Sequence, residues 1–320
     1  MITFIIRRTA IAIFLLFVVS IISWFIMTLT PGSPMPWSEL NPKITEQTKD
    51  LYRKKFHFDK PLYKQYYLLM NDLFRGKLVS NKDERPVLTK IGERLPATLA
   101  LNLVSIVLTF GLGIPLGIQA ARHAGRWRGT MSTVTAFLAI SLPSFWTSYL
   151  LCIFLVKYVQ IPILGLRTFG LAGQTPLQTA LDMAWHLFAP ALVLAIGGIA
   201  VESRYLRSSL LESLSEDYIR TARAKGLSET LVLYKHALRN SLRPLVTGIG
   251  LLLPALIGGS VIVESIFGYP GMGRMGYQAV LERDYPVLLT LNLVAAALVL
   301  AGNLLADILY AVVDPRVRLE

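Results

Sequence analysis

The sequence predicts an all-α integral membrane protein with six transmembrane helices and both termini in the cytoplasm. Three observations carry that prediction. The chain is 53% hydrophobic and only 16% charged. Its apolar residues gather into long uncharged runs, and its basic residues fall between those runs. A soluble chain of 320 residues needs a more polar surface, so lipid is the solvent that suits the excess. The net charge of +12 could suggest nucleic acid. Because the basic residues alternate with apolar runs instead of sharing one face, orientation in a bilayer explains them better.

Five stretches lack Asp, Glu, Lys and Arg: Ala10–Leu29, Ala97–Ala120, Gly129–Val156, Pro244–Val263 and Pro286–Ala306. Each is long enough as a helix to cross a hydrocarbon core of roughly 30 Å. Met183–Val201 is a weaker sixth, interrupted by His186, Pro190 and the pair Gly197-Gly198. It counts as a span because without it the flanking loops fall on the faces their charges disfavour. Arg7 and Arg8 before the first run resemble the start of a signal peptide. The run is too long for one, and no small-x-small cleavage site precedes Pro31, so an uncleaved anchor is expected.

With the amino terminus inside, the short inner segments collect Arg7, Arg8, Arg122, Arg126, Arg128, a dense set from Arg204 to Arg243, and then Arg316 and Arg318. The two short outer loops hold only Arg167, Arg274 and Arg283, apart from Lys157 at a boundary. That asymmetry orients the chain. The remaining outer segment, Thr30–Pro96, is rich in Tyr, Phe and basic residues, and loops of that length cross membranes regardless of charge. It is expected to form a small ordered cap. The division is therefore a first helix over 1–30, an extracytoplasmic cap over 31–96 and a five-helix core over 97–320, with a cytoplasmic loop at about 203–243.

Catalytic chemistry is not expected. No Gly-x-x-x-x-Gly-Lys-Ser/Thr phosphate loop is present. The four histidines, His57, His123, His186 and His236, are scattered and offer no metal or triad spacing. Cys152, the single cysteine, sits in an apolar run as a small hydrophobe. Glu264, at the outer end of the fifth span, and Asp307, one turn after Asn303 in the last, are too few for a proton relay. Asp307 and Asn303, with Asn102 and Asn292, are expected to hydrogen-bond to neighbouring helices. The chain therefore needs an external energy source and is not itself an enzyme. No cofactor and no metal are called for.

The inner loop Ser203–Arg243 is more than a connector. Ser215 can cap a helix with Glu216 and Asp217 in its first turn and Arg223 and Lys225 in its last, matching the helix dipole at both ends. Gly226 then takes the left-handed position after that helix, and Ser228 can cap a second helix running to about Arg243. Leu227, Leu231 and Tyr234 give the second helix an apolar stripe. Two readings remain open on these residues: an amphipathic helix resting on anionic lipid, or a dock for a cytoplasmic partner.

The run Asp217-Tyr218-Ile219-Arg220-Thr221-Ala222-Arg223-Ala224-Lys225-Gly226-Leu227-Ser228 resembles the cytoplasmic loop of bacterial ABC importer permeases. The general loop begins Glu-Ala-Ala and ends Ile-x-Leu-Pro. Arg220-Thr221-Ala222 and His236-Ala237-Leu238-Arg239 stand there instead, as in the peptide/nickel subclass. Glu264-Ser265-Ile266-Phe267-Gly268-Tyr269-Pro270-Gly271-Met272-Gly273 is similar to that subclass's signature after the fifth helix. Asp59-Lys60-Pro61-Leu62, Glu93-Arg94-Leu95-Pro96-Ala97-Thr98 and Asp314-Pro315-Arg316 fit it as well, and the long loop after the first helix resembles the B-type subunit.

The resemblance implies a type I ABC importer permease fold in a bacterial inner membrane. It also implies partners: a second permease subunit, two cytoplasmic ATPase subunits and an extracytoplasmic substrate-binding protein, all working in the lipid bilayer and without nucleic acid. Asp217, Tyr218, Arg220, Ala222, Arg223, Ala224, Gly226, Leu227 and Ser228 would couple to the ATPase. Phe267, Pro270, Gly271, Gly273 and Arg274 would face the binding protein. Peptides are the implied cargo, with nickel chelates, glutathione or oligosaccharides as alternatives. A self-contained secondary transporter is the rival, but the sequence shows no inverted repeat of the kind such proteins carry.

Overall fold

The computed structural model of the chain describes residues 2–30, 45–170, 175–242 and 260–313. Its frame is a pair of long helices packed in parallel, α4 (Val87–Arg122) and α7 (Pro176–Ser215). Alanine, glycine, serine and threonine make up most of their buried sides, so the two backbones come close. A Cβ on Gly117 would stand 2.8 Å from the Ser203 carbonyl oxygen, and one on Gly198 would stand 2.9 Å from the Thr109 side chain. Pro96, Pro115 and Pro190 lie within the two helices without ending them. The weaker sixth run thus belongs to a continuous helix of 40 residues.

Among the described residues, four helices are long and apolar enough to span a membrane: α1 (Ile2–Leu29), α4, α7 and α12 (Tyr285–Val313). The third run, Gly129–Val156, is broken. It forms α5 (Trp127–Ser141) and α6 (Ser144–Ile153), the latter extended by a π-helical stretch, Phe154–Val159, and the two halves bend by 98°. Pro143 explains the break. It cannot donate a backbone hydrogen bond, and it pushes the residue before it out of helical geometry; Leu142 has ψ 122°. Counted as one span, the pair brings the number to five. The predicted run Pro244–Val263 lies outside the described residues except at its end, as does Asp314-Pro315-Arg316.

Helices α1 and α12 run antiparallel along the frame. Arg8 and Asp307 form an ion pair, 3.1 Å, at one end, and Met27 packs on Tyr285 and Leu289 at the other. Asp307 was expected to hydrogen-bond a neighbouring helix, and its partner is an arginine read from sequence only as an orientation signal. The Met27 cluster shares Leu69 and Leu288 with the cluster around Val87 and Ile91, where α4 begins. Arg8 and Asp307 therefore lie at the end where α4 finishes.

Between α1 and α4 the described part of the cap holds α2 (Glu46–Lys55), α3 (Leu62–Phe74) and a tight turn closed by an antiparallel bridge between Val79 and Pro86. The turn is anchored on α11 (Met272–Glu282) and the start of α12. Asp284 accepts hydrogen bonds from the Ser80 hydroxyl and, at 3.1 Å, from the Asn81 backbone N–H. Lys82 pairs with Glu282.

Candidate functional site

The Asp217–Ser241 segment folds as two short helices. The first, α8, is Asp217–Ala224. The second, α9, comprises Glu229–Leu231, a π-helical Val232–Ala237 and a last turn, Leu238–Ser241. Ser215 does not cap α8. It is the last residue of α7, and its hydroxyl donates to the Glu212 carbonyl at 2.7 Å. Glu216 occupies the capping position with extended backbone and makes no side-chain cap hydrogen bond.

The far end of α8 follows the sequence reading. Gly226 has φ +78°. Its N–H donates to the Arg223 carbonyl at 2.9 Å, and the Leu227 N–H donates to the Ala222 carbonyl at 3.4 Å. These two bonds form a Schellman closure, which requires a left-handed residue at this position. Ser228 then caps α9 by accepting from the Leu231 N–H at 3.4 Å. Across the turn Arg223 donates to both carboxylate oxygens of Glu229, at 2.8 and 3.1 Å. That guanidinium holds the Glu229 carboxyl below its ordinary pKa. Glu229 was missed in the sequence, because an ion pair across a turn needs the turn's geometry to be known.

The apolar side of this element rests on protein. Ile219 and Ala222 are buried against Leu206, Leu210, Ile118 and Ala121, together with Val232, Leu233 and Ala237 of α9. Burying Ile219 alone is worth roughly 1.5–3 kcal/mol. The stripe expected on α9 is displaced: Leu227 packs inward, whereas Leu231 and Tyr234 are 39% and 45% exposed. The π-helical turn widens the helix there and brings adjacent Val232 and Leu233 onto the core side. Tyr218, Arg220, Leu231 and Tyr234 are left on the outside.

At the opposite end of the frame, the run after the predicted fifth span makes a second closure of the same kind. Helix α10 (Val261–Ile266) ends where the Gly268 N–H donates to Ser265 at 3.2 Å and the Tyr269 N–H to Glu264 at 2.8 Å, with Gly268 at φ +63°. Glu264 is fully buried, and its carboxylate accepts the Arg274 N–H at 2.7 Å in the first turn of α11. The Thr98 hydroxyl of α4 accepts the Met272 N–H at 2.8 Å. Two side chains from other helices thus satisfy N–H groups that a helix start leaves free, and the carboxylate suits the positive end of the dipole. Tyr269 donates to the Ala97 carbonyl at 3.1 Å, and its hydroxyl pKa is pushed up to about 12 by burial and then by the Glu264 charge.

Of the residues expected to face a binding protein, Phe267, Gly271 and Gly273 are buried, and Pro270 and Arg274 are half-buried. Gly271 has no room for a side chain, because a Cβ would overlap the Glu264 carboxyl group. Arg274 reaches the Gly268 carbonyl. It also lines a charged cleft of about 310 Å³ between cap and α11, with Arg85, Lys90, Arg94, Gln278 and Glu282 among the walls. Thr98 and Glu264 carry this junction and were not singled out as site residues in the sequence. The threonine lies in a motif the sequence shows, but its partner is distant along the chain.

Among solved structures the chain resembles the MetNI methionine ABC transporter in an inward-facing form, with a TM-score of 0.55 at 20% identity over 72% of this chain and 99% of that one. The fold is that of a type I ABC importer permease, and the apolar helices make the chain a multi-pass membrane protein. The family model for the binding-protein-dependent transport system inner membrane component matches residues 113–319, and the model for the N-terminal part of such components matches residues 1–102. The chain belongs to that family of bacterial inner-membrane permeases. Curated relatives match nearly end to end. The oligopeptide transport system permease protein AppB of Bacillus subtilis is 39% identical over 99% of this chain and 100% of its own length. The dipeptide permease protein DppB of Lactococcus lactis is 36% identical over 100% of both. The glutathione permease protein GsiC of Escherichia coli K12 is 35% identical over 99% of both.

Proposed function

We propose that this permease forms the path for di- or oligopeptides in an ATP-binding-cassette importer, together with a second permease subunit. The near-full-length similarity to oligopeptide and dipeptide permeases carries the reading. Two cytoplasmic ATPase subunits supply the energy, and an extracytoplasmic binding protein delivers cargo. Glutathione is a second cargo, favoured by the GsiC relatives, and it is itself a short peptide.

The end carrying α8 and α9 is the cytoplasmic one. The ATPase meets the exposed face of that element at Tyr218, Arg220, Leu231 and Tyr234, while Asp217, Ala222, Arg223, Ala224, Gly226, Leu227 and Ser228 hold its shape. Because Ile219 and Ala222 are packed into α7 and the end of α4, a displacement of α8 by nucleotide-driven ATPase closure would move the glycine-seamed pair as one body. The pair spans about 54 Å along α4, so the motion would arrive at the Glu264–Arg274 junction and the cap. The cap and the cleft beside Pro270 and Arg274 form the landing surface for the binding protein, and buried Phe267, Gly271 and Gly273 support it from below. Each permease is then a two-state element biased by its partner's nucleotide.

The test is uptake of labelled di- and oligopeptides into vesicles carrying the assembled complex. Uptake should stop when ATP is depleted with the membrane potential intact. Uptake driven by the potential alone would replace this reading with a secondary transporter.

A further inference from the structure

The cleft of about 310 Å³ between the cap and α11 carries more positive than negative charge. Lys82, Arg85, Lys90, Arg94 and Arg274 line it, against Asp83, Glu93, Glu282 and Asp284. Three of the cations are paired: Lys82 with Glu282, Arg85 with Glu93 at 2.6 Å, and Lys90 with Asp83 at 2.9 Å. Asp284 is only 2% exposed, and the Ser80 hydroxyl and the Asn81 N–H of the cap occupy its oxygens. Arg94 and Arg274 are left without a carboxylate. Arg274 gives one guanidinium nitrogen to the Gly268 carbonyl. Arg94, half-buried two turns into α4, has no hydrogen bond or ion pair among the described residues.

A guanidinium carries its N–H donors in a planar fork that matches a carboxylate, and charge-assisted bonds of that kind are the strong ones. Here two such groups, one from α4 and one from α11, line the same recess. The volume is that of a small-molecule pocket, at the lower end of the roughly 300–1,000 Å³ such pockets have. The tip of a single protein side chain would leave most of it empty. Glu93 and Glu282 stay partly exposed beside their basic partners and offer oxygens to an ammonium group. Guanidinium groups and carboxylates on one wall suit a ligand that carries both charges itself.

We propose that this cleft binds a free short peptide by its C-terminal carboxylate, held by Arg94 together with Arg274. The proposal rests on the reading that peptides are the cargo, and it adds a peptide site on the permease itself, at the face where the binding protein lands. The test uses the full-length chain in phosphatidylcholine nanodiscs titrated with alanyl-alanine, read by saturation-transfer NMR against empty nanodiscs. Alanyl-alanine should saturate at millimolar concentration, as a ligand of about eleven heavy atoms would. Alanyl-alanine amide, which lacks the carboxylate, should bind at least tenfold more weakly. Arg94→Gln removes the charge and no polar contact of the fold, and it should weaken alanyl-alanine at least tenfold. Arg94→Lys keeps the charge without the fork and should fall between. Gln278→Glu, at an exposed position of α11 on the cleft wall, adds a charge like the ligand's and should weaken it severalfold. That variant keeps the test decisive if Arg94→Gln does not fold. Failure to saturate, equal binding of the amide, or unchanged affinity in Arg94→Gln would overturn the proposal. So would Arg94-dependent binding seen only with the binding protein and not with alanyl-alanine, since the arginine would then serve docking. Peptide uptake by the assembled complex, measured alongside, separates the two readings. Intact uptake without saturation removes this site alone, whereas absent uptake removes the peptide cargo.

Discussion

The two ends of the α4–α7 frame carry the same turn in opposite surroundings. At one end Gly226 closes α8, and at the other Gly268 closes α10, each left-handed and each followed by a residue bonded back across the turn. Around Gly226 there is open space, with nothing within 4 Å of an added Cβ. After Gly268 the chain dives inward: Tyr269, Gly271, Met272 and Gly273 are all buried, and a carboxylate fills the place of a Gly271 side chain. One turn presents an element to the outside, and the other is the centre of a joint between three helices and the cap. A glycine motif can therefore stand for two different demands, backbone conformation alone or conformation plus the absence of volume. Only the second makes the glycine part of the packing.

The comparison breaks most visibly at Gly271. In Gly271→Ala the new methyl group would collide with the Glu264 carboxyl, forcing it away from the Arg274 N–H it caps. Overpacking costs typically about 1–3 kcal/mol, and an uncapped buried carboxylate adds a penalty of similar order. Membrane abundance and the thermal midpoint in detergent should both fall sharply, with transport lost in proportion to the protein lost. If Gly271→Ala accumulates normally and melts at the wild-type temperature, the junction is looser than its geometry and the contrast between the two turns disappears.

Gly226→Val should show the reverse pattern. The strain of forcing a β-branched residue into the left-handed region is roughly 1–2 kcal/mol, with no collision added. Insertion and abundance should stay near wild type, because Ile219, Ala222, Val232 and Leu233 still anchor α8 and α9. Peptide uptake and substrate-stimulated ATPase activity of the complex should drop by an order of magnitude, because the turn sets the angle between the two helices. Equal losses of abundance and uptake would mean the turn is structural, like its counterpart.

How far these features can be read without a structure follows the range of the interaction. The left-handed Gly226 and the Ser228 cap rest on residues three to five apart, and the sequence shows both. Ser215 misled because a serine before two acidic residues looks like a helix start, yet α7 runs on through it. Leu231 and Tyr234 misled because a period of 3.6 was applied across a π-helical turn. The break at Pro143 was hidden by composition, which counts charges and does not register a proline's effect on Leu142. Glu264 is ten residues from the N–H it accepts, and Thr98 is 174 residues from its partner. Arg8 and Asp307 meet only because α1 and α12 lie side by side. Pairings of that kind depend on how helices assemble, and a single sequence does not contain that.

The smallest effect is expected from Gly226→Asn, which separates conformation from every other property of the position. Asparagine tolerates the left-handed region better than any β-branched residue, since its short polar side chain can bond locally. The open space around Gly226 admits it without contact. The penalty should be a few tenths of a kcal/mol up to about 1 kcal/mol, small beside the valine variant. Uptake should fall no more than about twofold, abundance should be unchanged, and ATPase stimulation should track uptake. If Gly226→Asn is as defective as Gly226→Val, backbone strain is not the cause. The glycine would then be needed because a partner's surface comes within reach of its Cα, which would bring the exposed turn closer in kind to the packed one.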